Sequence, residues 1–401
     1  MGIHSSVWLA FDHRLANKYQ SIWRYCAIKV LSIHATMLCS AGIIQELQAL
    51  GLIASTNRYL ELRDWFYYTS LVDSTQHHLC LVLPLLSESI HTLRLATPSK
   101  TILPRIVKSV LKYLLDDLVV LHALNFTHGD IQETNVALRY PYMHQAIDAD
   151  LEAEDEMDKN LRGFIVRDER WLPVWVSRPL QTSMTPEEID SRYAFVLTGM
   201  GSARRFDTNV NMRPSYSFAL QSPELLLGGT LRWEADIWAV GCLVFTMLTG
   251  KMLFNPVCFP DGTLDRSDLL TQMAEVSGIT FAEASTTLRY TPQWSRYFDD
   301  EGDLLAFLHD RSNPPRQPIC LDAMLEVVMN PHFAKHAASF IRTCLTLDPL
   351  KRSTAKSLRS HSWQKHCNMP GRYDHLEDPL VAEDNHDVSI DLNDWSLGMC
   401  T

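Results

Sequence analysis

The 401-residue sequence lacks the signatures of several specialised protein classes. Its 9 cysteines include no C-x-x-C pair, which argues against a zinc ribbon and against a disulfide framework. The longest apolar run, Ile237 to Gly250, falls short of the roughly 18 to 20 residues that cross a bilayer. The first residues also lack the apolar core of a signal peptide. We therefore expect a protein of a reducing compartment, cytoplasmic, nuclear or both, without a membrane segment.

Positive charge is scarce as well. The chain has 36 Lys and Arg residues against 47 Asp and Glu, a formal net charge of −11. This balance argues against direct binding of nucleic acid, whose phosphates are neutralised by lysine and arginine, and it favours a basic partner. The 46% hydrophobic and 21% charged fractions are those of an ordinary globular protein, and we expect a monomer.

The spacing of apolar residues changes along the chain and predicts two regions. Up to Leu86 they form short runs rich in Val, Ile, Trp and Tyr, as in a small sheet, with one helical stretch around Ile43 to Leu50. Beyond Pro104 they follow the spacing of an amphipathic helix of about four turns. Residues 233–249 are apolar almost all round and Gly250 follows as a cap, which predicts a buried helix. The sequence thus predicts an α+β fold whose second part is mainly helical.

Two acidic segments interrupt and end this pattern. Between residues 140 and 192 the apolar periodicity fades, and residues 148–158 hold seven acids, so we predict a solvated surface insertion. From about Cys367 the chain is polar and acidic, and we interpret residues 367–401 as a tail. We therefore predict that residues 1–366 form the folded domain.

The stretch His128-Gly129-Asp130-Ile131-Gln132-Glu133-Thr134-Asn135 follows the first long helix and precedes a short apolar run. It resembles the catalytic loop of protein kinases, whose Asp accepts the proton of the incoming hydroxyl and whose Asn holds a magnesium ion. The resemblance assigns these roles to Asp130 and Asn135. The D-x-x-x-x-N spacing alone is equally compatible with an ordinary turn, since both residue types favour turns.

Other motifs of the same family occur in order along the chain. Ala27-Ile28-Lys29 resembles the family's V-A-I-K strand, whose lysine neutralises nucleotide phosphates, and Glu46 suits its ion-pair partner. Three segments resemble C-lobe motifs: Ser222-Pro223-Glu224, Asp236-Ile237-Trp238 and Leu347-Asp348-Pro349-Leu350-Lys351-Arg352. The resemblance implies a buried salt bridge between Glu224 and Arg352, and an Asp236 that holds the catalytic-loop backbone.

The resemblance also implies the two-lobed kinase fold, with an N-lobe over residues 1–86, a C-lobe over 87–366 and ATP in the cleft between them. Leu83 to Leu86 are then the hinge. Because Pro84 has no backbone donor, adenine would rely on the amides of Leu85 or Leu86. Val7, Ala27 and Leu83 are expected to line the apolar part of the pocket.

The start of the chain narrows the resemblance. Gly2-Ile3-His4-Ser5-Ser6-Val7-Trp8-Leu9 is similar to the phosphate-covering loop of SR-protein kinases, G-x-G-H-F-S-T-V-W-L, and D-I-Q-E-T-N resembles fungal members. Gly2 then belongs to the ATP site, and the first glycine and first strand of the N-lobe would lie upstream of Met1. The implied activity is magnesium- and ATP-dependent phosphorylation of Ser in Arg/Ser-rich proteins. We expect acidic side chains to bind such a substrate, and the candidates are Asp261, Asp265, Asp268, Asp299, Asp300, Glu301 and Asp303.

The chain departs from the kinase pattern at three positions. Gly199-Met200-Gly201 stands where kinases carry D-F-G, so Gly199 replaces the Asp that chelates magnesium and offers no ligand atom. Gln132 replaces a lysine that helps neutralise the transferring phosphate. Gly129 replaces an arginine that pairs with a phosphorylated activation loop. We therefore predict weakened binding of ATP and magnesium and impaired phosphoryl transfer.

Two alternatives remain open. A pseudokinase scaffold would bind partners through the same fold without catalysis. A small-molecule phosphotransferase of the aminoglycoside or choline kinase kind shares the H-G-D sequence, but such enzymes lack the three C-lobe motifs.

Overall fold

The computed structural model describes the chain in several ranges. These are residues 5–11, 24–54, 62–70, 73–140, 143–145, 147–148, 161–167, 170–175, 189, 193–206, 217–259, 261–305 and 320–365, without the side chains of 161–175, 285 and 286. They all lie within the unit Met1–Lys365. Gly2, most of the acidic run at 148–158 and the tail 367–401 lie outside the described residues.

The N-lobe is built on a four-stranded antiparallel sheet ordered β1-β2-β4-β3. Its strands are β1 (Ser5–Phe11), β2 (Tyr25–Leu31), β3 (Asp64–Thr69) and β4 (His77–Leu83). Val7 is opposite Lys29, and Ala27 is opposite Leu83. Because side chains alternate along a strand, Val7, Ala27, Lys29 and Leu83 share one face of the sheet.

Two helices, rather than one, follow β2: α1 (Ile33–Ser40) and α2 (Glu46–Ala54). The prediction of a single helix around Ile43 to Leu50 was wrong in number and placed the start too early. The side chain of Ser32 accepts a hydrogen bond from the Ala35 N–H and caps α1. α1 is short and has apolar residues on all sides, so it shows no helical periodicity in sequence.

The C-lobe is mainly helical, as predicted. Its helices are α3 (Ile90–Ala96), α4 (Pro104–Ala123), α5 (Pro223–Leu226), α6 (Trp233–Thr249), α7 (Arg266–Ser277), α8 (Phe281–Leu288), α9 (Trp294–Tyr297), α10 (Leu321–Glu326), α11 (Pro331–Cys344), α12 (Ala355–Leu358) and α13 (Ser362–Lys365). Short strands β5 (Phe126–Thr127), β6 (Val136–Arg139), β9 (Ala194–Leu197) and β10 (Arg204–Arg205) pair as β6 with β9 and β5 with β10.

The two helices predicted most directly from sequence are confirmed. α4 packs its apolar stripe into the core, with Val107, Val110, Leu111 and Leu118 fully buried. α6 is buried along almost its whole length and ends at Gly250, whose φ of 71° is left-handed. A Cβ at this glycine would lie 2.6 Å from the Lys100 carbonyl oxygen, so the close approach requires glycine.

The insertion includes secondary structure that the sequence did not predict. It contains a hairpin of β7 (Leu161–Arg167) and β8 (Arg170–Trp175). Pro173 argues against a strand in sequence, but a two-stranded hairpin leaves each strand an unpaired edge that tolerates proline. Asp148, the first residue of the acidic run, accepts a hydrogen bond from the Tyr25 hydroxyl at 2.7 Å and pairs with Arg24, so this part of the insertion contacts the N-lobe sheet.

In the described part of the chain, no helix is both long and apolar enough to span a bilayer.

Candidate active site

Lys29 and Glu46 form an ion pair between the N-lobe sheet and α2. The Nζ atom of Lys29, in β2, is 2.5 Å from Oε1 of Glu46. Glu46 is the first residue of α2, where the helix dipole stabilises a carboxylate. The two side chains are 17% and 5% exposed, so the pair is largely shielded from solvent and salt. The lysine is thereby fixed on the face of the sheet that also carries Val7, Ala27 and Leu83.

Asp236 of α6 holds the backbone of the loop that contains Asp130. Its carboxylate accepts hydrogen bonds from the N–H groups of His128 at 2.8 Å and Gly129 at 2.9 Å. Nε2 of His122 lies 3.0 Å from the same carboxylate. Asp236 is fully buried, so these groups replace the water that a buried carboxylate loses. Because α6 is anchored in the core on every side, the loop is fixed relative to the core.

His128 joins this loop to the segment before Gly199. Its Nε2 is 2.8 Å from the Thr198 carbonyl oxygen, and its Nδ1 is 3.2 Å from the Asp130 nitrogen. Burial lowers the pKa of His128, which keeps the ring neutral. A neutral ring with its proton on Nε2 donates to Thr198 and accepts from Asp130, so both ring nitrogens are satisfied.

Two side-chain amides hold the carboxylate of Asp130. Gln132 Nε2 donates to Oδ1 at 2.9 Å, and Asn135 Nδ2 donates to Oδ2 at 2.8 Å and to the Asp130 carbonyl at 2.8 Å. Burial raises the pKa of Asp130 above its ordinary value, and the two amides oppose that rise. The carboxylate is therefore both more basic than a solvated one and fixed in orientation, which suits a proton acceptor.

Gly199 follows β9 with a left-handed φ of 77°. The Thr198 N–H donates to the Asn135 carbonyl at 2.7 Å, which holds this turn beside Asn135. A Cβ at Gly199 would lie 2.5 Å from Oδ1 and 2.6 Å from Cγ of Asn135. The Asn135 amide thus fills the space where a side chain at 199 would begin. Among the residues that the structure describes, no group of three or more His, Cys, Asp or Glu side chains is suited to holding a metal ion.

The predicted hinge follows β4. The hydrogen bonds described for this part of the chain include none donated by the backbone N–H groups of Leu85 and Leu86, and both residues are only half-buried. Pro84, just before them, has no N–H. The Ser87 N–H donates to the Leu138 carbonyl at 2.8 Å, which joins the segment to β6. Two backbone donors are therefore available at the edge of the cleft.

Glu224 and Arg352 are joined in the C-lobe core. Arg352 Nη1 and Nη2 donate to the two carboxylate oxygens of Glu224 at 2.7 and 3.0 Å. The guanidinium also donates to the carbonyls of Glu234 at 2.7 Å and Thr346 at 3.0 Å, and lies 5.2 Å from the Trp238 ring centroid. Arg352 is 3% exposed, so this charge is compensated entirely within the protein.

Sequence reasoning missed a second buried ion pair at the catalytic loop. Arg94 of α3 donates from Nε and Nη2 to the carboxylate of Glu133 at 2.6 and 2.9 Å, and both residues are buried. The two residues are 39 positions apart, and no local pattern marks them as partners. Only the docking of α3 onto the 3₁₀ turn Glu133–Asn135 brings them together.

Several of the acidic residues considered for substrate binding have local structural roles. Asp265 caps α7, Asp261 accepts from Thr263, and Asp299 accepts from the N–H groups of Gly302 and Asp303. Asp268 accepts from Gln272 Nε2 at 2.8 Å. Three acids remain whose carboxylates form no hydrogen bond or ion pair within the described ranges: Asp300, Glu301 and Asp303. They belong to one turn, closed by the bond from the Asp299 N–H to the Asp303 carbonyl at 3.0 Å.

Part of the chain is similar to known protein kinases. Residues 189–364 match the family profile described as protein kinase domain. Serine/threonine-protein kinase SKY1 of Saccharomyces cerevisiae is 31% identical over 145 residues, which are 36% of this chain and 18% of the relative. Dual specificity protein kinase lkh1 of Schizosaccharomyces pombe is 23% identical over 364 residues, 85% of this chain and 43% of the relative. Serine/threonine-protein kinase AFC2 of Arabidopsis thaliana is 22% identical over 216 residues, which are 53% of this chain and 42% of the relative.

Residues 189–364 thus match the protein kinase domain, and the two-lobed fold predicted from the motifs is confirmed. The chain resembles serine/threonine kinases of the SR-protein kinase type. It spans less than half the length of each of these three relatives.

Proposed function

We propose that this chain binds ATP between its lobes and transfers a phosphoryl group to serine in an Arg/Ser-rich protein, at a rate lowered by the missing acid at position 199. The observation that carries the proposal is the state of Asp130. Its carboxylate is partly buried and held by Gln132 and Asn135, on a loop fixed to the core by Asp236. A carboxylate fixed in this way is suited to remove a proton from a hydroxyl at a defined point.

In the proposed reaction the serine oxygen attacks the terminal phosphorus of ATP. The bond from that phosphorus to the bridging oxygen breaks, ADP leaves, and the serine proton passes to the carboxylate of Asp130. Lys29, held by Glu46 at 2.5 Å, is placed to neutralise phosphate charge. The amides of Leu85 and Leu86 are the proposed adenine contacts, with Val7, Ala27 and Leu83 on the apolar side of the ring.

Magnesium supplies charge neutralisation at the phosphates in kinases. The residues around position 199 do not fit the usual clamp. Asn135 offers one amide oxygen, Gly199 offers no ligand atom, and the Asn135 amide fills the space where a second ligand would begin. A hard cation prefers several oxygen ligands, and carboxylates above all. This poor fit is the proposed cause of weakened transfer.

The acidic turn Asp299–Asp303 is the proposed contact for arginine side chains of the substrate. Asp300, Glu301 and Asp303 are the three acids there that are not used in local hydrogen bonds of the described chain. Exposed charges of this kind act mainly on the rate of encounter and weaken as salt is added. The variant Asp300→Asn/Glu301→Gln/Asp303→Asn should weaken binding of an Arg-Ser repeat peptide at low salt, and Asp261→Asn, an acid with a local bond, serves as control. Equal affinity of the two variants would contradict this role.

A phosphotransfer assay on an Arg-Ser repeat peptide tests the activity, with Asp130→Asn as the matched control. We expect slow incorporation of phosphate that the control abolishes. Turnover at the rate of ordinary kinases, roughly 1 to 100 per second, would contradict the impairment. Incorporation that survives in Asp130→Asn would contradict the assignment of the proton acceptor.

Gly199 also supports a second candidate function, a scaffold that does not catalyse. The two functions differ in the assay above and in a thermal shift with ATP. A ligand that binds only the folded state raises the melting temperature. A shift with ATP together with slow, Asp130-dependent transfer supports the enzyme, and the absence of both supports the scaffold.

A further inference from the structure

Position 199 differs from an ordinary kinase site in charge as well as in ligand number. With Gly199 the phosphate region loses one carboxylate, while Lys29 remains, paired to Glu46. A carboxylate a few ångströms from a triphosphate repels it electrostatically. A metal ion between the two groups removes that repulsion, so a site without the carboxylate has less need of the ion.

The side-chain amide of Asn135 is hydrogen-bonded to Asp130. Its Nδ2 donates to the carboxylate and to the carbonyl of Asp130, both at 2.8 Å, so its donors are directed at the proton acceptor. Its Oδ1 lies against the Gly199 backbone, 2.5 Å from where a Cβ would stand. Asn135 therefore acts as a positioning residue for Asp130. Of positions 135 and 199, only Asn135 has a side-chain oxygen that could bind a cation.

We infer that the cleft binds the triphosphate of ATP without a divalent ion, with Lys29 as the cation that neutralises it. This inference rests on the proposed function, since it uses the same nucleotide site. The chemical class of ligand is a free nucleoside triphosphate. Magnesium accompanies the nucleotide in solution but adds little to the affinity of the protein for it.

Calorimetric titration of the full chain with a non-hydrolysable ATP analogue, in EDTA and in magnesium, tests the inference by binding alone. We expect the two dissociation constants to agree within about twofold. Lys29→Met should weaken binding about tenfold or more in both buffers, whereas the exposed control Lys356→Met should not. A wild-type dissociation constant that falls about tenfold or more on addition of magnesium would overturn the inference.

The variant Gly199→Asp is the reciprocal test. Aspartate tolerates the left-handed conformation better than most residues, and the group that it would meet is the Asn135 side chain, which would have to shift away from its hydrogen bonds to Asp130. We expect its affinity in EDTA to fall and its affinity in magnesium to recover. Unchanged behaviour in both buffers would overturn the inference, and the wild-type comparison stands even if this variant does not fold. No binding of the analogue in either buffer would instead remove the proposed function itself, so the two failures are distinguishable.

Discussion

The buried pair between Glu224 and Arg352 allows the sharpest test of what stabilises the C-lobe. Glu224→Gln keeps the shape of the side chain and removes its charge, so the Arg352 guanidinium, 3% exposed, stays buried without its counter-ion. Breaking a buried pair from one side costs about 3 to 5 kcal/mol. The remaining hydrogen bonds to the carbonyls of Glu234 and Thr346 favour the lower end of that range.

The assay is urea unfolding of the full chain without nucleotide, carried out as a double-mutant cycle with Arg352→Met. Removing both charges leaves no unpaired ion, so the double variant should lose less than the sum of the single losses, by about 1 to 3 kcal/mol. The control is Arg342→Gln at the ion pair with Asp322, whose side chains are 40% and 33% exposed, where about 0 to 1 kcal/mol is expected. A loss below about 1 kcal/mol for Glu224→Gln would refute the reasoning.

Three further predictions concern the catalytic loop. Gly129→Ala should lower the free energy of unfolding, measured by urea titration, by about 1 to 3 kcal/mol, because φ is +75° and the new Cβ would lie 2.9 Å from the Ser202 carbonyl oxygen. The control is Gly42→Ala, where φ is +69° but the space around the Cβ is open, so that it measures the cost of the backbone conformation alone. Asp236→Asn should lose about 1 to 3 kcal/mol, since its NH₂ group faces backbone donors; an unchanged urea midpoint would contradict this. Burial raises the pKa of Asp130, so its ionised form destabilises the fold above that pKa. The parent should therefore gain stability relative to Asp130→Asn as the pH falls from 7 towards 3.8. A parent that loses stability relative to this variant on acidification would contradict the reasoning.

Elements with a strong local pattern could be predicted from the sequence. α4 and α6 carry apolar residues at helical spacing over many turns, and Gly250 marks the end of α6. The kinase fold followed from motifs that are short but occur in a fixed order. α1 was missed because it is too short and too evenly apolar to show a helical period. The insertion hairpin was missed because Pro173 argues against a strand in the sequence.

Tertiary partners were harder to predict than elements. The motif resemblance led to Lys29 with Glu46, but the partnership of Arg94 with Glu133 depends on how α3 docks, which no spacing records. The packing around Gly199 could not be predicted from the sequence either. The sequence shows that a ligand is missing, whereas only packing shows that the Asn135 amide lies in its place.

The internal pairing of Glu133 has a consequence for the substrate that we propose. Arg94 is tethered beside that carboxylate, and groups joined by a folded chain meet at an effective concentration on the order of millimolar or above. To bind Glu133, an arginine of a peptide at low concentration would have to displace Arg94 and, with it, the helix α3. Glu133 is thus a saturated acceptor, and under the proposed function discrimination in favour of basic peptides would fall to carboxylates farther from the reacting hydroxyl.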